Sequence, residues 1–108
     1  MPNSIITAEA SPSSAELEGE FNDWYLSTHI LEVRAAVPEI TGVSRYKIWE
    51  PVPGALARYI AVYKVEGLSA AETAAKLGAA AAGLSEGPML NSGDNAPALK
   101  FADELAAN

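Results

Sequence analysis

The sequence predicts a small α+β domain whose elements follow the order βαββαβ. Three observations support this order: a long amphipathic helical pattern, β-rich stretches on either side of it, and a second, alanine-rich helical pattern further along the chain. With right-handed crossovers, this order gives the ferredoxin-like plait. We expect one domain over residues 1–108, because the chain has the length of a single domain and shows no internal repeat.

The first helical pattern is the most clearly marked element of the chain, and it runs from Ser13 to about Val37. Ser13 and Glu16 have the spacing of a capping box at its start, and Pro38 pushes Val37 out of the helical region at its end. Steps of three and four predict one apolar stripe, made of Leu17, Phe21, Trp24, Thr28, Leu31 and Ala35. A second stripe of hydrogen-bonding groups lies beside it and holds Asn22, Tyr25, His29 and Glu32.

Four strands and a second helix make up the rest of the pattern. We expect strands at residues 4–9, 43–50 and 58–66, and a fourth one marked by Leu99, Phe101 and Leu105. Ser69 and Glu72 have capping-box spacing and begin an alanine-rich helix over residues 69–84. The strand at 58–66 carries apolar side chains on both faces, whereas the helices of so small a domain cover only one. We therefore expect a partner subunit or a ligand cavity to cover the second face.

Composition and charge argue against several classes of function. The net charge is -7, the predicted pI is near 4.5, and no cluster of Lys or Arg is present, so nucleic acid is a poor partner. The absence of cysteine excludes thiolate catalysis and cysteine-ligated metals, and the single histidine excludes multi-histidine centres. A mixed carboxylate site stays open. We expect no membrane partner and a cytoplasmic location, because no stretch reads as a membrane span or a signal peptide.

Two stretches of the chain resemble the EthD-like family of the dimeric α/β-barrel superfamily. They are Phe21-Asn22-Asp23-Trp24-Tyr25 with His29-Ile30 and Val37-Pro38…Gly42-Val43, and the strand Arg58-Tyr59-Ile60-Ala61-Val62-Tyr63. The resemblance covers residues 15–66 by pattern. One departure is that many relatives have a proline soon after the histidine, where this chain has Leu31 and Glu32. We therefore expect the helix to continue smoothly past His29.

The resemblance implies a fold, an assembly and a range of activities. Members form homodimers whose two sheets close into a barrel, and each subunit has a cavity between its sheet and its long first helix. Related proteins include isomerases, cyclases, lyases and cofactor-free oxygenases that act on small cyclic or aromatic compounds. Many members have no known activity.

His29 is the leading candidate for catalysis, because imidazole is the only side chain here whose ordinary pKa lies near neutrality. Tyr25 lies one helical turn before His29, and Asn22 lies nearly two turns before it on the same face. This row of side chains is suited to holding a carbonyl or phenol oxygen while His29 moves a proton. The alternative is a histidine packed at the helix surface and bonded to a backbone carbonyl.

Several aromatic and basic side chains are candidates for binding a substrate. They are Trp24, Tyr46, Trp49, Tyr59, Tyr63 and Arg45. Tyr59 and Tyr63 share a strand face, and we expect Tyr46 to join them from the neighbouring strand, so that tyrosines form the wall of a pocket or a dimer seam. Core packing is the competing role for Trp24, and a solvated ion pair is the competing role for Arg45.

These observations favour a lyase or an isomerase/cyclase that needs no cofactor or metal. Its substrate would be a small hydrophobic cyclic or phenolic compound, His29 its general acid/base, and Tyr25 and Asn22 the groups that stabilise a developing enolate. Two alternatives stay open. One is a cofactor-free or haem-degrading type of monooxygenase, and the other is a non-catalytic protein that binds a small molecule.

Overall fold

The fold is an antiparallel sheet with helices packed on one face. The computed structural model describes residues 2–85, 87 and 95–107. In chain order, the elements are β1 (Asn3–Ala10), a 3-10 turn (Ala15–Leu17), α1 (Glu18–Trp24), a π-helical turn (Tyr25–His29), α2 (Ile30–Ala36), β2 (Ile40–Lys47), β3 (Tyr59–Glu66), α3 (Ala70–Ala80), a second 3-10 turn (Ala81–Gly83) and β4 (Ala98–Asp103). No helix of the described ranges is long and apolar enough to cross a membrane.

The sheet has the strand order β2-β3-β1-β4, and every neighbouring pair is antiparallel. This is the arrangement of a ferredoxin-like βαββαβ chain, so the predicted α+β fold is confirmed. Ile6 at the centre of β1 lies opposite Tyr63 of β3 on one side and Phe101 of β4 on the other, and Val43 of β2 also lies opposite Tyr63. These four side chains belong to the face that packs against the helices.

Residues 15–36 form one helical segment that contains a π turn, a feature that the sequence pattern does not reveal. Because a π turn holds more residues than an α turn, the side chains that face the sheet recur every four residues along this segment. They are Phe21, Tyr25, His29, Val33 and Val37, of which His29 is half-buried and the other four are buried.

The apolar stripe predicted for this segment is wrong in its C-terminal half. Leu31 is 60% exposed, Ala35 is exposed, and the buried position falls on Val33 instead. Tyr25 and His29, which were predicted on the neighbouring polar stripe, face the sheet. The reason is that the prediction assumes 3.6 residues per turn throughout, whereas the π turn shifts the facing positions by about one residue.

The two predicted capping boxes have opposite outcomes. The Ser69 hydroxyl accepts a bond from the Glu72 backbone N–H, and the Glu72 carboxylate accepts one from the Ser69 N–H, so the box at the start of α3 is confirmed. At the first helical segment, by contrast, Ser14 is the N-terminal cap and no side chain caps the turn. The segment starts with a 3-10 turn, so the predicted box of Ser13 and Glu16 is wrong.

The strand predictions hold with shifted ends. The second strand starts at Ile40, because Ile40 pairs with Val65, and a bulge follows before the pairing resumes at Gly42. The strand ends at Lys47, three residues earlier than predicted. The fourth strand includes Leu99 and Phe101, but Leu105 lies beyond it and is 96% exposed. Most of the loop predicted between residues 87 and 97 lies outside the described residues.

Apolar side chains occupy both faces of the sheet, as the sequence predicts for β3. The helix-covered face carries the buried core, including Ile6, Ala61 and Tyr63. The opposite face is not buried within one chain, and its apolar or hydroxyl-bearing side chains are Ile5, Thr7, Tyr46, Ile60 and Val62. The site described next lies on the helix-covered face.

Candidate functional site

His29 lies at the end of the π turn with its ring enclosed by two aromatic neighbours. The imidazole is stacked on the indole of Trp24, with ring centroids 4.8 Å apart and planes inclined by 24°. It also meets the Tyr25 ring edge-on, at a centroid distance of 4.8 Å and an angle of 68°. These contacts hold the imidazole between the helical segment and the sheet rather than in bulk water, as the sequence-based hypothesis requires.

Two apolar cavities meet at His29. The first has a volume of about 260 Å³ and is lined by Ile6, Ala8, His29, Val33, Tyr63, Ala74, Leu77, Gly78, Ala81, Leu84, Leu99 and Phe101. The second is about 180 Å³ and is lined by Ala8, Glu9, Ala10, Trp24, Tyr25, His29, Pro97, Ala98 and Leu99. His29, Ala8 and Leu99 line both, so the two cavities are neighbours with the imidazole between them.

The first cavity has a mostly apolar lining and two hydrogen-bonding side chains. Of its lining residues in the described part of the chain, only His29 and Tyr63 carry a polar side-chain group. An apolar cavity of about 150 Å³ already accommodates benzene, so this one has room for a compound of one or two small rings. Such a balance, with mostly apolar lining and a few convergent polar groups, is typical of a small-molecule site.

Buried polar atoms without a hydrogen-bond partner are concentrated in this region. Within the described ranges they are Asn22 Oδ1, His29 Nδ1, Arg45 Nε and Nη2, and the Tyr63 hydroxyl. All four residues were predicted as site residues from the sequence. Native structures leave few buried polar groups unpaired, and two of these residues, His29 and Tyr63, line the first cavity.

Burial and the Arg45 charge set the protonation of the site. Burial lowers the pKa of His29 below its ordinary value of 6.5; Arg45 lowers this pKa further and Glu32 opposes the shift. Burial raises the pKa of Tyr63, with a smaller contribution from Tyr25, and burial also raises the pKa of Tyr25. At neutral pH the imidazole is therefore a neutral base, and both phenols keep their protons.

Arg45 lies on the β2 side of the same cluster, among aromatic rings. Its guanidinium carbon is 4.3 Å from the ring centroid of Tyr25, 5.0 Å from that of Tyr59 and 5.7 Å from that of Phe21. Burial lowers the pKa of Arg45, which means that its surroundings disfavour the charge. Because Arg45 and His29 both contact the Tyr25 ring, the distance between the guanidinium and the imidazole is no greater than the length of a small molecule.

Asn22 and Tyr59 form a hydrogen-bond network beside the cavities rather than lining them. The Asn22 amide donates to the Tyr59 hydroxyl at 3.3 Å, and that hydroxyl donates to the Glu18 carboxylate. Lys47 forms an ion pair with the same carboxylate at 3.1 Å. Asn22 thus bonds to Tyr59 rather than lining a cavity.

Tyr46 and Trp49 lie apart from the His29 cavities within one chain. Tyr46 pairs with Ile60, so it points to the opposite face of the sheet from Tyr59 and Tyr63, and the expectation that it joins them is wrong. Trp49 follows the end of β2 and is 81% exposed. It lies in a wide groove of about 500 Å³ formed with the β2–β3 loop; this groove is larger than the His29 cavities but has no link to His29.

Several residues of the site were not identified from the sequence. Gly87 packs against the indole of Trp24 so closely that a Cβ atom there would lie 2.8 Å from a ring carbon. Glu32, on the predicted second stripe with His29, accepts hydrogen bonds from the Ser85 backbone N–H and hydroxyl. The small side chains of α3 gave a usable signal: an alanine-rich helix buries little volume and so leaves room for a cavity.

Comparison with known proteins supports the fold. No protein-family model matches the chain, and no curated protein matches it. Among solved structures, a dimeric ferredoxin-like protein from an uncultured marine organism superposes over 100% of both chains, with a TM-score of 0.68 and 12% identity. An EthD-like protein from Ralstonia eutropha JMP134 superposes over 96% of this chain and 95% of its own, with a TM-score of 0.50 and 14% identity. The chain thus shares the ferredoxin-like fold of an EthD-like protein, and the resemblance is confirmed at the level of the fold.

Proposed function

We propose that the protein binds a small hydrophobic cyclic or phenolic compound beside His29 and transfers a proton within it, as a lyase or isomerase/cyclase without a cofactor would. The observation that carries this proposal is the first cavity: among the described residues, its lining is apolar except for His29 and Tyr63, and both of these side chains carry a buried polar atom without a partner. A neutral base and a protonated phenol facing one apolar space are the two groups that enolisation of a ketone requires.

The chemistry follows from the state of each group. The neutral imidazole takes a proton from a carbon next to the substrate carbonyl. The electron pair of the broken C–H bond forms a C=C bond to the carbonyl carbon, and the π pair of the C=O bond moves onto the oxygen. The Tyr63 hydroxyl donates a hydrogen bond to that oxygen, and the nearby Arg45 cation favours its negative charge. When the substrate has a C=C bond next to the deprotonated carbon, the enolate is conjugated with it, and return of the proton from the imidazolium to the far carbon of that C=C bond completes an isomerisation with no net oxidation.

The remaining predicted residues have supporting roles in this proposal. Tyr25 and Trp24 hold the imidazole by edge and face contacts and line the second cavity. Asn22 and Tyr59 keep the neighbouring wall rigid through their hydrogen bond. The haem-degrading alternative fits less well, because a macrocycle with its propionates needs far more space than a cavity of about 260 Å³.

We also propose that the chain forms a homodimer through the open face of its sheet. That face carries Ile5, Ile60 and Val62 beside Tyr46, and these side chains are not buried within one chain. A second copy would remove them from water. The marine ferredoxin-like protein, which superposes over the whole chain, is described as dimeric.

Deuterium exchange into a cyclic ketone tests the proton-transfer proposal. 2-Tetralone has acidic hydrogens next to its carbonyl and the right size, and NMR follows their replacement in D₂O. We expect the protein to accelerate exchange above the buffer rate, and His29→Asn to reduce this acceleration by about 10²–10⁴-fold while the circular dichroism spectrum stays unchanged. Equal acceleration by a folded His29→Asn variant would contradict the proposal. Binding of 2-tetralone without any exchange would favour the non-catalytic alternative.

A further inference from the structure

Arg45 is a cation enclosed by aromatic rings and paired with no carboxylate within the described ranges. The other half-buried charged side chains there have partners: Glu32 accepts hydrogen bonds from Ser85, and the rest belong to three ion pairs. These ion pairs are Lys47 with Glu18, Arg58 with Glu9, and Lys76 with Glu39. The contacts of Arg45 are instead the rings of Tyr25, Tyr59 and Phe21. A guanidinium in such surroundings is costly to bury unless an anion or hydrogen-bond acceptors compensate it.

The aromatic contacts do not satisfy the hydrogen-bonding groups of Arg45. Rings stack on the face of a guanidinium, whereas its N–H bonds point outward in the guanidinium plane. Nε and Nη2 are both closed to solvent and lack an acceptor in the described part of the chain. These two nitrogens form one edge of the group, and this edge is the one that binds a carboxylate through two parallel hydrogen bonds.

The position of Arg45 connects this edge with the proposed active site. The ring centroid of Tyr25 is 4.3 Å from the guanidinium carbon of Arg45 and 4.8 Å from the ring centroid of His29. Tyr25 also lines the second cavity together with His29. Arg45 itself lines neither cavity, so a ligand whose ring contacts the imidazole would have to extend a substituent past the Tyr25 side chain to reach the guanidinium edge. Glu9 is the only carboxylate among the described residues that line either cavity, and it is engaged by Arg58.

We propose that Arg45 is the anion-binding part of this site and that the ligand is a small ring compound bearing a carboxylate. The inference rests on the proposed function, since it assigns the ring of the ligand to the His29 cavities. It adds the chemical class of the ligand: a cyclic acid, whose carboxylate accepts hydrogen bonds from Nε and Nη2 of Arg45. The competing role for Arg45 is purely structural, as a cation that packs between tyrosines.

A matched pair of ligands tests this assignment. Cyclohexanecarboxylate and cyclohexylmethanol have the same ring and differ in charge, and neither absorbs where tryptophan is excited. A Trp49→Phe background leaves Trp24 as the single tryptophan, stacked on His29 at the site. Titration at pH 8 keeps the imidazole neutral, so tighter binding of the carboxylate than of the alcohol is due to a cation other than His29. We expect the carboxylate to bind about tenfold or more tightly than the alcohol.

Two arginine variants in this background locate the preference. Arg45→Gln should bind the two compounds with equal affinity, whereas Arg34→Gln, which removes an exposed arginine of α2, should keep the full preference. Preference for the acid that survives in a folded Arg45→Gln variant would overturn the assignment. Should Arg45→Gln fail to fold, the comparison of the two ligands with Arg45 in place still decides, because equal affinities there overturn it.

The outcomes also separate this inference from the proposed function. Equal binding of both compounds, with Trp24 fluorescence responding to each, overturns the carboxylate assignment alone and leaves ring binding at His29 intact. Binding of neither compound overturns both proposals, because the cavity then does not take up a small ring.

Discussion

The imidazole of His29 and the indole of Trp24 are stacked at a centroid distance of 4.8 Å. Along the chain, the two residues are separated by one helical turn plus the extra residue of the π turn. A straight α-helix would bring residue 28 rather than residue 29 above Trp24. The π turn therefore creates this contact, and with it the orientation of the imidazole toward the cavities. π turns occur often at functional sites, and here the turn has a definite structural effect.

Gly87→Ala tests whether the position of Trp24 is constrained. A Cβ at residue 87 would lie 2.8 Å from Trp24 Cη2, too close for any relaxed contact, so we expect the indole to move off the imidazole. In the Trp49→Phe background, the tryptophan emission maximum should shift and exchange of 2-tetralone should slow. Gly19→Ala is the control, since nothing lies within 4 Å of its added methyl group. An unchanged Trp24 spectrum in Gly87→Ala would show that this packing is absent in solution.

Tyr63→Phe separates catalysis from stability. The Tyr63 hydroxyl is buried without a well-formed hydrogen bond in the described ranges, although the Tyr25 phenol lies near enough to affect its pKa, so its removal costs the chain little. We expect the free energy of unfolding, measured in urea, to stay equal or rise by about 1 kcal/mol. The rate of 2-tetralone exchange should fall by about 10²-fold, because the developing enolate loses a donor. Tyr46→Phe, on the opposite face from the cavity, should leave the exchange rate unchanged, and equal exchange rates in the two variants would refute the role of Tyr63.

Ser4 and Thr73 join β1 to α3 through a buried hydrogen bond of 3.0 Å between their hydroxyls. Ser4→Ala or Thr73→Val leaves one buried hydroxyl without a partner, so each should lower the free energy of unfolding by about 1–2 kcal/mol. The double variant removes both hydroxyls and should recover part of this loss. Urea unfolding of the four proteins gives the coupling energy, and strictly additive losses would show that the bond contributes nothing.

Arg58 stabilises the position of the segment that leads into β4 through hydrogen bonds. Its guanidinium donates to the Glu9 carboxylate at 3.1 Å, to the Ser11 hydroxyl at 3.2 Å and to the carbonyls of Asn95 and Ala96. We expect Arg58→Ala to lower the free energy of unfolding by about 1–3 kcal/mol. Lys64→Ala, an exposed cation on the same strand, should cost less than about 0.5 kcal/mol. Similar urea midpoints for the two variants would contradict this role.

Local signals in the sequence predicted local structure well. Ser69 with Glu72 forms the predicted capping box because both partners lie within one helical turn, and Pro38 ends the first helical segment because its ring acts on the preceding residue. His29 lines both cavities, although the predicted apolar stripe did not include it.

Features that depend on distant contacts were not predictable from the pattern. Tyr46 was expected beside Tyr59 and Tyr63, but the face it occupies depends on the register between β2 and β3, and a shift of one residue reverses every side chain. The π turn is equally hidden, because its identity depends on how Tyr25 and Val33 pack on the sheet. The first cavity arises where the small side chains of α3 meet β1 and β4, which lie apart from α3 in sequence.

NMR titration of His29, the only histidine of the chain, tests the central claim most directly. Burial and Arg45 on β2 lower its pKa, while Glu32 raises it, and Tyr25, Tyr63 and Glu9 are the other titratable groups at the cavities. A lowered pKa in the folded state means that stability is complete above the unfolded value of 6.5 and is lost as the pH falls through the folded pKa. We expect the imidazole to titrate below 6.5 and its ring signals to shift when 2-tetralone is added. A pKa at or above 6.5, with ring signals that do not respond to 2-tetralone, would contradict the account.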